Sequence, residues 1–81
     1  MSVNDPREWA RYADQDWQVA SSLMRRKHPP TVAICFHAQQ SAEKYLKSLL
    51  LAAEEAREAV AIARTIRTFA RRWLKAKGVL Q

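Results

Sequence analysis

The chain has 81 residues, of which 48% are apolar, and its 14 lysines and arginines against eight acids give a net charge of +6. A chain of this size forms one domain, but it buries only about 60–65% of the surface that its unfolded form exposes, so self-association would add stability. The single cysteine excludes an intrachain disulfide framework and a Cys-based zinc site, and we predict no cofactor or metal.

Two further classes are disfavoured by the same sequence. No stretch reaches the roughly 18–20 apolar residues of a membrane-spanning helix, and the acidic start MSVNDPREW is unlike a signal peptide. We therefore expect a cytoplasmic protein with no membrane segment. The positive charge favours phosphates, anionic lipid or acidic proteins without choosing among them.

The first predicted helix starts at a clear capping signal. Asp5 suits the N-cap, and Pro6 suits the first helical position. Charged residues near Lys27 and the prolines that follow predict a loop from Lys27 to Pro30. Apolar residues recur at helical spacing between these limits: Trp9, Tyr12, Ala13, Trp17, Ala20, Leu23 and Met24.

Two more helices are predicted in the rest of the chain. The second begins near Thr31, and the third runs from about Glu54 to Lys77 with Gly78 as its stop. The expected buried side of the second includes one polar residue, Gln39, among apolar ones: Val32, Cys35, Phe36, Leu46, Leu49 and Leu50. The third carries a regular apolar stripe: Ala59, Ile62, Ala63, Ile66, Phe69, Ala70, Trp73 and Leu74.

The phases of these last two apolar stripes differ. At about 100° per residue, the stripe of the second helix centres near roughly 290° and that of the third near roughly 120°. A single straight helix would point them in nearly opposite directions. We therefore predict a sharp turn, or an absent segment, at Ala52-Ala53.

Three segments resemble the HEPN family. Tyr12 to Ala20 is similar to the start of the family's first helix. The stretch HAQQSAEKYLKSLL, which begins at His37, is similar to its second-helix pattern, and the third helix resembles the family's last helix. The resemblance implies an all-α, up-and-down antiparallel helical bundle of the four-helix type that dimerises. Family members usually carry a loop and further helical residues where this chain passes directly from Ala52 to Ala53.

The resemblance also raises the question of RNA cleavage. Several HEPN families cut RNA with an arginine followed about four to six residues later by a histidine, which supplies acid–base chemistry. Neither His28 nor His37 has that partner. The preferred interpretation is therefore a non-catalytic protein. A segment once present between Ala52 and Ala53 is the alternative location for the motif.

Two polar surfaces are candidate binding sites. His37, Gln40, Lys44 and Lys47 follow each other at helical spacing and can share a face, either as a site for a nucleotide or RNA phosphate or as structural residues in a bundle or dimer interface. A basic stripe of Arg64, Arg67, Arg71 and Lys75 can track phosphates or meet an acidic partner, or be an ordinary solvated face.

For the three tryptophans and the cysteine, a structural role is favoured over a binding or catalytic one. Trp9, Trp17 and Trp73 lie in apolar stripes, which favours core or dimer packing over base stacking. Cys35 is expected to be a buried small hydrophobe.

These observations and the resemblance lead to one preferred function and two alternatives. We favour a non-catalytic HEPN homodimer, which the resemblance places beside a minimal nucleotidyltransferase in a toxin–antitoxin-like pair, with nucleotide or RNA as candidate ligands. The alternatives are an RNase toxin whose motif lies outside this sequence and a structural dimerisation module.

Overall fold

The computed structural model describes residues 4–81, which form three α-helices and no strand. Helix α1 spans Pro6–Met24, α2 spans Thr31–Ala52 and α3 spans Ala56–Ala76. The prediction of an all-α chain is confirmed. None of the described helices is long and apolar enough to cross a bilayer.

Local signals place the helix ends close to their predicted positions. The Asp5 carboxylate accepts a hydrogen bond from the backbone N–H of Arg7 at 2.9 Å, and Pro6 is the first helical residue. Helix α2 begins at Thr31 as predicted. The loop between the two helices is longer than predicted, because α1 already ends at Met24.

The end of α3 depends on the only glycine in the sequence. Gly78 has a φ of +78°, a conformation that residues with a Cβ rarely adopt. Its N–H donates to the carbonyl of Lys75 at 3.0 Å, and the N–H of Val79 donates to that of Leu74 at 2.9 Å. This pair of bonds is a Schellman motif, and it stops the helix where Gly78 was predicted to stop it.

Helices α1 and α2 form an antiparallel pair. Near the start of α1 and the end of α2, the Ser48 hydroxyl donates to the backbone carbonyl of Pro6 at 2.6 Å. Small residues occupy the centre of the interface: Ala13, Ala20, Ser41 and Ser48 are the buried residues. Their small side chains let the two helix axes approach closely, but they bury little apolar area.

The predicted buried side of α2 is wrong. The side that faces α1 is mainly polar and small, although half-buried Ile34 lies on it, and most large apolar residues point away from α1. The misassigned residues are exposed in the single chain: Val32, Cys35, Phe36, Gln39, Leu46, Leu49 and Leu50. The prediction failed because it placed the largest apolar side chains inside, whereas α1 offers alanines and a carboxylate that suit the opposite side of α2.

Other predictions for single residues change with this arrangement. Gln39 lies outside the α1–α2 seam, and its amide donates to Glu43 one turn later at 3.0 Å. Cys35 is exposed, not buried. Trp17 and Trp73 are both more than half exposed, so they are not core residues of the single chain, and dimer packing and base stacking both stay predictions for them.

The predicted turn after Ala52 is confirmed. Helix α2 ends at Ala52, Ala53 is extended with φ −67° and ψ 125°, and α3 starts at Ala56, two residues later than predicted. The Glu58 side chain accepts the backbone N–H of Glu54 at 3.0 Å, which ties the linker to the first turn of α3. Whether a segment is absent at this point stays a prediction.

Helix α3 stands apart from the α1–α2 pair. No Cα atom of α3 comes within 8 Å of one in α1, and α3 has no buried residue. The Cα atoms of the whole chain extend over 46 × 39 × 14 Å, which is about one helix thick. The helices therefore form a single layer, and the bundle is open on both faces in the single chain.

Candidate polar site between the first two helices

A cluster of three ionisable side chains lies between α1 and α2, and we call it the Asp16 cluster. Asp16 Oδ1 is 2.8 Å from His37 Nδ1, and Asp16 Oδ2 is 2.6 Å from the ammonium of Lys44. The carboxyl side chain is 13% exposed and the lysine side chain 22%, so both are largely withdrawn from water. Each carboxylate oxygen therefore has its own partner on α2.

Helical spacing explains why these three residues meet. Asp16 is three residues after Ala13 and four before Ala20, so it lies on the stripe of α1 that faces α2. His37 and Lys44 are seven residues apart, which is two turns of α2. The helix pair thus brings one carboxylate to two partners that lie two turns apart on α2.

The charge balance of the cluster favours the ionised carboxylate. Hydrogen bonds from Lys44 and then from His37 lower the pKa of Asp16 below its ordinary value, against an opposing effect of burial. Charge-assisted bonds of this kind are stronger than neutral ones. The cluster therefore links the two helices, and the positive charge of Lys44 is already neutralised by Asp16 within the chain.

Further polar contacts flank the cluster. The Tyr45 hydroxyl donates to the carboxylate of Asp14, and this bond raises the pKa of Tyr45. The Lys44 ammonium lies 5.9 Å from the centre of the Tyr12 ring, within cation–π range. Together with the bond from Ser48 to Pro6, these contacts make the α1–α2 seam polar along much of its length.

The predicted basic stripe lies on α3, away from this seam. Arg64, Arg67, Arg71 and Lys75 are all exposed, and the last three help to line a shallow depression of about 330 Å³. Within residues 4–81, no carboxylate forms an ion pair with any of the four. Their charges are therefore available to an external anion.

Comparison with known proteins gives a single match. The HEPN domain family matches residues 6–55, which include all of α1 and α2 and more than half of the chain. The chain belongs to the HEPN domain family. No curated protein and no solved structure matches it significantly. The match ends before α3, so it gives no support to the resemblance between α3 and the last helix of HEPN proteins.

The structure brings together only part of the predicted polar face of α2, which comprises His37, Gln40, Lys44 and Lys47. His37 and Lys44 meet at Asp16, and Gln40 is half-buried on the same side of α2. Lys47 is exposed and takes no part in the cluster. The face therefore does not present two free lysines to a phosphate.

Asp16 is the residue that the sequence prediction missed. A carboxylate in phase with Ala13 and Ala20, on an otherwise apolar stripe, requires a partner on the facing helix. His37 and Lys44 were the available partners. This spacing was the signal, and it was overlooked because the motif on α2 was considered without its counterpart on α1.

The described part of the chain offers no alternative centre for metal chemistry. No group of three or more His, Cys, Asp or Glu side chains in residues 4–81 is arranged to hold a metal ion. His28 is exposed in the loop after α1, and Arg25 and Arg26 before it are too close in sequence to match the spacing of the RNA-cutting members.

Proposed function

We propose that this HEPN protein is non-catalytic and acts as a homodimer that pairs with a minimal nucleotidyltransferase in a toxin–antitoxin-like system. The observation that supports a non-catalytic role best is the engagement of His37 with Asp16 on a helix seam. A histidine whose ring is bonded to a carboxylate between two helices is poorly placed to transfer protons to or from an RNA substrate. The 81-residue sequence also lacks the arginine-to-histidine spacing of RNA-cutting members.

The uncovered apolar surface supports the homodimer. Large apolar residues on α2 and α3 remain exposed in the single chain, Phe36 and Phe69 among them. Exposed apolar surface on this scale marks an interaction site in proteins of this size. A nucleotide or RNA phosphate would then meet the basic stripe of α3, which has no internal counter-ion in the described chain.

The test combines two measurements on the complete protein. Co-expression with a minimal nucleotidyltransferase is expected to give a complex that survives size-exclusion chromatography. Incubation with single-stranded RNA is expected to give no cleavage. Cleavage that is lost on substitution of a histidine would instead assign the chain to the RNase toxins. Absence of a complex, with a dimer still present, would leave only a dimerisation module.

A further inference from the structure

Two apolar surfaces of similar length stay uncovered in the single chain. One is the side of α2 that points away from α1, and the other is the stripe of α3. Since a helix rises about 1.5 Å per residue, the two helices are roughly 33 and 32 Å long. Helix α1 covers neither surface, because it packs on the opposite side of α2 and does not reach α3.

The two surfaces face each other across an open cleft. Leu46, Leu49 and Ile66 help to line this cleft, whose volume is about 320 Å³. Leu46 and Ile66, partway along the two helices, are 37% and 38% exposed, whereas Phe69 and Val32, farther from the linker, are 69% and 85% exposed. The α2–α3 arrangement is therefore a V that widens away from residues 53–55, with apolar residues on both arms.

The exposed area has the size that a stable dimer would bury. The chain exposes 6593 Å². A compact monomer of 9.3 kDa is expected to expose about 5,000 Å². The excess of about 1,600 Å² per chain is well above the roughly 800 Å² per partner of a standard interface, and the total for two chains, about 3,200 Å², lies within the range of obligate dimers.

We propose that α3 of one copy docks in the α2–α3 cleft of a second copy, and that the exchange is reciprocal. This arrangement rests on the proposed homodimer and specifies how it is built. It places α2 and α3 of both copies around a shared apolar core. The basic stripe of α3 lies roughly 135° around the helix from the apolar stripe, so docking leaves the stripe in solvent.

A second copy fits these surfaces better than a lipid bilayer does. Helix α3 alone has the apolar and basic faces of a membrane-surface helix. The uncovered side of α2 is different, because Gln39 and Glu43 lie on it, hydrogen-bonded to each other, and an anionic surface would not attract that carboxylate. Lipid bound to α3 would also leave the α2 side in water, whereas an exchanged α3 covers both.

The test uses two complementary variants of the full chain. The arm variant, Phe69→Glu with Trp73→Glu, disrupts the stripe of α3. The cleft variant, Leu46→Glu with Leu49→Glu, disrupts the side of α2. Arg71→Glu is the matched control, because it changes charge on α3 outside the apolar stripe. All substituted residues are exposed, and circular dichroism would verify that each variant remains helical.

Sedimentation at micromolar concentration separates the outcomes. We expect wild type and the control to be dimers and each variant alone to be largely monomeric. An equimolar mixture of the two variants should recover heterodimers, because the intact α3 of the cleft variant can still pack on the intact α2 side of the arm variant. An arm variant that dimerises like wild type would overturn the exchange while the homodimer stands. A monomeric wild type would overturn the homodimer itself, and its co-sedimentation with phosphatidylserine vesicles would assign α3 to a membrane surface.

Cross-linking gives a second measurement that needs no disruptive substitution. Cys35 is exposed on the α2 side of the cleft and is the only native thiol. With Phe69→Cys, a short bis-maleimide is expected to yield covalent dimers in which Cys35 of one chain is joined to the new thiol of the other. Peptide mapping that finds only links within one chain would contradict the exchange.

Discussion

Asp16 carries a large share of the specificity of the α1–α2 seam because it bonds two residues of α2 at once. We expect Asp16→Asn to lower the free energy of unfolding by about 1–2 kcal/mol, since it removes charge-assisted bonds and leaves Lys44 without its counter-ion, while partial exposure limits the loss. Urea denaturation measures this change. Glu55→Gln, at an exposed carboxylate with no side-chain cap bond, is the control and should be nearly neutral.

The same carboxylate predicts a pH dependence. The pKa of Asp16 is lower in the folded protein than its ordinary value of 3.8. Its contribution is therefore present above that ordinary value and is lost as the pH falls through the folded-state pKa. The stability difference between wild type and Asp16→Asn should be present at about pH 5 and should shrink below about pH 4. A difference that persists at about pH 2 would show that the loss is steric.

At the scale of the helices, binding of phosphates should depend on α3. Single-stranded RNA should bind weakly, with log affinity falling against log salt at about −0.7 per phosphate contact. Glutamate at Arg64, Arg67 and Arg71 should abolish binding measured by fluorescence anisotropy. Lys47→Glu is the matched control on α2 and should retain most of it. Binding lost with Lys47→Glu and kept without the arginines would assign the ligand to α2.

The sequence predicted where helices begin and end better than it predicted which sides they bury. Asp5 and Gly78 act within one or two residues of themselves, so their capping roles followed from local rules. The burial of α2 did not, because it depends on what α1 presents. A helix with large apolar residues on one side and small or polar ones on the other can pack on either, and Asp16 with Ala13 and Ala20 selects the second.

The sequence likewise predicted some features of the candidate polar site and missed others. Periodicity correctly grouped His37 with Lys44 on one side of α2. It could not distinguish a lysine paired with Asp16 from a free one such as Lys47, since that distinction requires the register of the two helices. The phase difference at Ala52-Ala53 did predict the break between α2 and α3, because it compares positions along a single chain.

For the whole molecule, the thin layer of helices predicts a stability that depends on concentration. Among the described residues, the apolar ones that are buried are two alanines, Ala13 and Ala20. So small a core contributes little against the conformational entropy lost on folding 81 residues. In the proposed homodimer most of the apolar burial comes from association, so the folded state should be stabilised by mass action.

Thermal unfolding at several protein concentrations tests this expectation. The Tm should rise by several degrees between about 1 and about 100 μM, and the fraction of folded chain should fall on dilution in parallel with the loss of dimer. The arm variant Phe69→Glu with Trp73→Glu serves as the comparison, because its Tm should be low and nearly independent of concentration. A wild-type Tm that stays constant over this range would mean that the α1–α2 pair and its Asp16 cluster suffice for folding without a partner.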